Sequence, residues 1–241
     1  GGLTSIFGSI FDGAINGATV CVDANFNKQC DVGEPTAITD LNGDFTMNNP
    51  LALNGPLIMS GGKDMGTGLP FTGTMTAPAG STAVSPLTSA IQSLVESNPA
   101  TTPAAAEASI RKALNITSTQ PLTSFNPFTA TNVEDAKSVL AAQSQLQVLV
   151  HAVSSTVAGA DSANTKIKDV MADAMANIAK SLETAATLAG TDGNVTITDK
   201  LISDATKTTA NNRFAPKTTD TPTQATAKVA AKVAAKSVAD S

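Results

Sequence analysis

The stretch Asp23-Ala-Asn-Phe-Asn-Lys-Gln-Cys-Asp-Val-Gly-Glu34 carries oxygen-bearing side chains at its first, third, fifth, ninth and twelfth positions. That spacing suits a hard cation. Ca²⁺ takes six to eight oxygens, so a loop that holds it must turn alternate side chains inward and close with a bidentate carboxylate. In this reading Asp23, Asn25 and Asn27 are the early ligands, Gln29 offers its backbone carbonyl, Asp31 acts directly or through water, and Glu34 completes the shell. The sixth position, where the sharp turn of a calcium loop usually has Gly, is Lys28. A side chain held at positive φ costs on the order of 1 kcal/mol, and the ammonium partly opposes the three carboxylates. The expected affinity is therefore weak, roughly micromolar to millimolar. The alternative is an Asx-rich surface turn without metal, since Asp and Asn are common turn residues.

The two cysteines, Cys21 and Cys30, bracket this loop. In an exported protein an even count at such spacing reads as a disulfide, which would also preorganise the loop for its ion. Two reduced thiols in a cytosolic chain are the alternative. A redox pair is disfavoured because no Cys-x-x-Cys spacing occurs. Charge follows the same division of the chain. Residues 1–80 hold seven acids (Asp12, Asp23, Asp31, Glu34, Asp40, Asp44, Asp64) against Lys28 and Lys63, so the whole net charge of −5 sits there and the remainder sums to zero.

Other chemistries have little to work with. The sole histidine, His151, falls among Leu149, Val150 and Val153 in a helical pattern, a place for packing or a helix surface rather than a catalytic base. One His and two Cys cannot make a zinc set unless carboxylates fill in. The glycine-rich stretch 61–68 lacks a phosphate-cradling motif, and there is no basic footprint for nucleic acid. The chain reads as non-enzymatic.

The elements that would position the loop follow from pattern. Aromatics are 3% of the 241 residues, with no Trp and no Tyr, so the core must be built of small side chains. Residues 3–12 fit either a helical stripe or a strand buried on both faces (Ile6/Gly8/Ile10 and Phe7/Ser9/Phe11), and the isoleucines favour the strand. Further strands are expected at Thr19 to Asp23, Thr36 to Thr39, Phe45 onward, Pro56 to Ser60 and Phe71 to Ala77, with Asn42-Gly43 as a type I′ hairpin turn. Past Ala77 the chain turns helical. Ser85-Pro86 caps a helix to about Ser97, a second spans about Pro103 to Leu114, and 121–131 connects. Val139, Leu146, Val150, Val153 and Val157, then Ile167, Met171, Ala174, Ile178, Leu182 and Ala185, mark two long helices joined at Gly159 to Thr165 as an antiparallel hairpin. Met171 and Met175 read as core fillers. Asp192 to Asp199 has a faint calcium-loop flavour, but a turn and a helix start near Thr198 fit better. Thr208 to Thr223 is a polar link, followed by an Ala/Lys helix to Asp240. The expected domains are 1–80, 81–207 and 208–241.

Ile10-Phe-Asp-Gly-Ala-Ile-Asn-Gly-Ala-Thr-Val20, the Asp-x-Asn-x-Asn loop ending Asp31-Val-Gly-Glu-Pro35, and Thr39-Asp-Leu-Asn-Gly-Asp-Phe45 together resemble the calcium-binding B-type repeats of bacterial surface adhesins. The resemblance covers about the first third of the chain. It implies a small prealbumin-like β-sandwich and calcium at Asp23, Asn25, Asn27, Asp31 and Glu34, with Lys28 as the departure from the family's Gly. The fold class expected is α+β, an N-terminal antiparallel β-sandwich followed by an α-helical region. With no initiator Met, signal peptide or apolar run near twenty residues, an exported product at the cell surface with no membrane span is expected. Three functions then compete: a filament or sheath subunit that polymerises with itself through its chain ends, an adhesin or ligand-binding module of a larger surface protein, and an unrecognised hydrolase.

Overall fold

The computed structural model describes residues 5–10, 13–48, 54–190 and 193–240. Leu3, Phe11 and Asp192, which the sequence reading used, lie outside them. Among the described residues the fold is mixed, with three small sheets followed by six α-helices. β3 (Thr19–Val22) is paired antiparallel with both β4 (Thr36–Ile38) and β6 (Leu57–Ser60), and β6 with β8 (Thr74–Ala77). A second sheet has β1 (Ser5–Ile10) between β5 (Asp44–Asn48), antiparallel, and β9 (Ala83–Val84), parallel. The short strands β2 (Ile15–Asn16) and β7 (Lys63–Asp64) pair with each other.

Period-two burial does what the alternation demands. Ile6 and Ile10 from β1, Phe45 and Met47 from β5, and Val84 meet Val20 and Val22 from β3, Leu57 and Met59 from β6, and Met75 and Ala77 from β8 in one cluster. Gly8 stands opposite Phe45 in the ladder, and a Cβ there would sit 2.4 Å from the ring, so the bare backbone is what lets the aromatic lie across β1.

α1 (Pro86–Ser97) begins in a capping box: Ser85 Oγ accepts the Thr88 N–H while Thr88 Oγ1 accepts the Ser85 N–H, with Pro in the first turn. Two orphan donors are thereby satisfied. The same turn is bonded to β8, because Ser89 Oγ accepts the Thr76 N–H at 2.9 Å and Thr88 Oγ1 donates to the Thr76 carbonyl. α2 (Pro103–Ala113), α3 (Val133–Gly159), α4 (Met171–Leu188) and α5 (Asp199–Arg213) bury Leu87, Ile91, Ile110, Leu146, Ile178 and Leu182 in a second core with α1. α6 (Pro222–Ala239) packs on α5 and the end of α3 around Phe214, which is 2% exposed.

Several expectations need correction. Phe7 is 70% exposed, so β1 is buried on one face and not on both. Asn42-Gly43 is not a type I′ turn: only Gly43 has positive φ (+80°), and β4 and β5 join different sheets. The reason is Asp40, whose Oδ1 accepts the Asn42 and Asp44 N–H groups and winds the turn around its own carboxylate. Ile167 belongs to a separate 3-10 turn before α4, and α5 continues to Arg213, inside the stretch read as a polar link. β1 is bonded along Ser5–Ser9 to β5 and over Ser9–Ile10 to β9, and α6 covers Phe214. Among the described residues no helix is long and apolar enough to cross a membrane.

Candidate functional site

The 23–34 loop leaves β3 at Val22 and returns at Pro35, where the Val22 N–H meets the Pro35 carbonyl at 3.1 Å. Cys21 and Cys30 are joined as a disulfide, with their Cα atoms 5.6 Å apart, and among the described residues no cysteine is free. One sulfur therefore lies on a buried strand and the other at the loop's eighth position. Closing a loop of about ten residues contributes about 2.7 kcal/mol in the chain-entropy account.

Asp23 is the hub. It is 1% exposed, its own N–H is held by the Pro56 carbonyl at 2.9 Å, and its two carboxylate oxygens accept the N–H groups of Asn27 (3.0 Å) and Lys28 (2.9 Å). Gly55 permits the close approach behind it, since a Cβ there would lie 2.1 Å from the Asp23 carbonyl oxygen. Wrapping five residues around one carboxylate drives two of them into the left-handed region. Phe26 has φ +60° and Lys28 φ +66°. Each costs roughly 1–2 kcal/mol, offset by the charge-assisted bonds to Asp23, about 1.5–3 kcal/mol each.

The remaining oxygens fold into the same loop. Asn25 Oδ1 accepts the Asn27 N–H at 3.1 Å and Asn27 Oδ1 the Gln29 N–H at 2.8 Å. Asp31 Oδ2 accepts from Asn25 Nδ2 (2.8 Å) and Asn27 Nδ2 (2.6 Å). Glu34 straddles the loop, Oε1 on the Ala24 N–H (2.8 Å) and Oε2 on the Asp31 N–H (2.9 Å). All six residues singled out by spacing thus share one small loop. Among the described residues no three His, Cys, Asp or Glu side chains are gathered closely enough to hold an ion between them. The Asn25 and Asn27 amides both donate to Asp31 Oδ2 instead. The donor set still fits calcium in kind, being oxygen only, with three carboxylates and two amide oxygens. For Asp31 Oδ2 to serve as an ion ligand, Asn25 and Asn27 would have to release it.

Lys28 has a role that spacing did not reveal. Its ammonium leaves the loop and meets Glu96 Oε2 of α1 at 2.7 Å. Both residues line a cleft of about 970 Å³ between the β part and the helices, walled by Phe71, Met75, Ser93, Val148, His151 and Met175. Met175 is half-buried and shared between this cleft and the helical core. His151 is exposed on α3, its Nε2 3.3 Å from Ser155 Oγ one turn on. The pair has no carboxylate partner among the described residues.

The glycine-rich stretch 61–68 holds a carboxylate of its own. Burial raises the Asp64 pKa, but the Gly66 and Thr67 N–H groups and the Thr67 hydroxyl outweigh it and hold the group below the usual carboxylate range. These bonds shape the turn after β7. Comparison with protein-family models, with curated proteins and with solved structures returns no match for this chain.

Proposed function

We propose that the chain is a non-catalytic extracellular module of a bacterial cell surface that binds a ligand without transforming it. Its N-terminal part would be a small prealbumin-like β-sandwich steadied by Ca²⁺ in the 23–34 loop. The observation that supports this reading is that the side chains of Asp23, Asn25, Asn27, Asp31 and Glu34 are all hydrogen-bonded within one loop tied by Cys21–Cys30. Titration calorimetry with Ca²⁺ should give one weak site, and the melting temperature should rise with calcium by mass action. Asp23→Ala combined with Glu34→Ala should abolish uptake. Unchanged uptake in that variant overturns the site.

Self-assembly into a surface filament is the second reading. It is favoured by apolar side chains left in solvent near the two ends, Phe7 at 70% exposure and Val229 and Val233 at 50% and 62%. Negative-stain microscopy with and without calcium separates the two. Filaments that dissolve on replacing Phe7 with Ser support assembly, and a monomer at high concentration in calcium removes it.

A further inference from the structure

We infer that the cleft between the β part and the helices is a groove for an extended, uncharged peptide, which adds as a strand to the open edge of β8 at Thr74. The inference rests on the ligand-binding reading above and is independent of calcium. β8 ends its sheet, with β6 as its only strand neighbour among the described residues. In an antiparallel pair, alternate residues turn both backbone groups toward the partner and the residues between turn both away. Pro56 faces β3, its carbonyl accepting the Asp23 N–H at 2.9 Å, and by alternation Ile58 and Ser60 face β3 as well. Leu57 and Met59 are then left to face β8, where they stand opposite Ala77 and Met75. Thr74 and Thr76 therefore turn their N–H and C=O away from the sheet. At Thr76 the consequence is visible: its N–H donates to Ser89 Oγ at 2.9 Å and its carbonyl accepts from Thr88 Oγ1 at 2.9 Å. α1 closes the edge there. The next outward pair of groups, on exposed Thr74, has no hydrogen-bond partner among the described residues.

The cleft runs along this open edge. Thr72 and Thr74 line one side of its roughly 970 Å³, and Val148 of α3 with Met171 and Met175 of α4 line the other. One wall thus offers a backbone donor and acceptor, and the facing wall offers apolar surface. A strand laid between them satisfies both, because main-chain bonds to an edge give affinity while alternate side chains enter the apolar wall. The two methionines are unbranched and adapt to different apolar side chains. Charge in the walls is balanced, Lys28 and Lys168 against Glu96 and Asp173, with Lys28 and Glu96 paired at 2.7 Å. A charged side chain would lose its water there without a free counter-charge at the Lys28 end, so an uncharged segment fits best.

The probe is acetyl-Thr-Val-Thr-Val-Thr-amide, titrated into the full chain in chelator and followed by the amide NMR shifts of the protein. Saturable shifts are expected at Thr72, Thr74, Val148 and Met175, with slower exchange of the Thr74 N–H. Thr74→Pro removes the outward donor at an edge position where Pro is tolerated, and should weaken the peptide about three- to tenfold, the worth of one hydrogen bond. Thr74→Val keeps the backbone and should bind as before. Val148→Glu, at a position 68% exposed, should weaken binding by putting a charge on the apolar wall. A probe methylated on its backbone nitrogens tests the same bonds without altering the protein, and it should not bind. Equal binding of the methylated probe overturns strand addition and leaves an apolar pocket only. Shifts at these residues that follow protein concentration alone assign the groove to a second copy and overturn a separate peptide partner. With no saturable shift the groove itself is refuted, while the calcium titration, run separately, still decides the loop; absent calcium uptake with the peptide bound refutes the loop and leaves the groove standing.

Discussion

Replacing Asp23 with Ala removes a carboxylate that is 1% exposed and accepts two backbone N–H groups, at 3.0 and 2.9 Å. Two charge-assisted bonds are worth about 3–6 kcal/mol together. Against this, the loop can then relax Phe26 and Lys28 out of positive φ, which recovers roughly 1–2 kcal/mol for each residue that does so. The expected net loss is about 3 kcal/mol. For a chain of this size each kcal/mol moves the melting temperature by about 2–4 °C, giving a fall of roughly 6–12 °C. Differential scanning calorimetry is the suitable assay, since the chain lacks Trp and Tyr, and it should be run in chelator so that no ion contributes. Asp23→Asn keeps one acceptor oxygen and should fall about halfway between. A loss below about 1 kcal/mol for Asp23→Ala in chelator would refute the placement of this carboxylate as the hub of the loop, whatever calcium then does.

Three further outcomes are expected. Alkylation of native protein before reduction should modify neither Cys21 nor Cys30, and Cys21→Ser with Cys30→Ser should cost about 2–3 kcal/mol with weaker calcium uptake; alkylated native thiols would disprove the bridge. Phe214→Ala, at a 2% exposed site, should cost about 3–5 kcal/mol and strip hydrogen-exchange protection from α6 while leaving β3 and β6 protected. The Asp220 carboxyl is held below its usual range by the Lys217 N–H and then by Lys228, whose ammonium lies 2.7 Å away. A depressed carboxylate contributes stability above its unfolded pKa of about 3.9 and loses it as pH falls through the folded value. The turn into α6 should therefore hold from neutrality down to about pH 4 and loosen at more acid pH, and Asp220→Asn should remove that part of the acid dependence.

What the sequence disclosed were features written locally. The apolar alternation of β3 and β6, the Ser85-Pro86 helix start and the valine stripe of α3 each depend on residues within a few positions, and each falls where the pattern put it. The Cys21–Cys30 bridge was legible because both partners flank one loop. Phe7 was misjudged because period two says which residues share a face and not whether a second layer covers it. The Asn42-Gly43 turn was misjudged because Asp40, two residues earlier, wins the competition for the backbone N–H groups. β9 has only Ala83 and Val84, too short for any periodicity, and exists because β1 offers it an edge. Lys28–Glu96 joins residues from two distant elements, and only the folded topology brings them together. The same is true of Phe214, an isolated aromatic in a polar stretch until α6 folds over it.

The parallel pairing of β9 beside β1 sets an order of events. The strand nearest the amino terminus cannot complete its sheet until Ala83 and Val84 arrive, and these run straight into Ser85, the cap of α1. Closing the first sheet and starting the first helix are thus one step, and it is a non-local one of the kind that slows folding. Until it happens, β1 is bonded only to β5 and shows an open edge with Phe7 beside it. In a crowded nascent population that interval would be when two copies could pair in place of one.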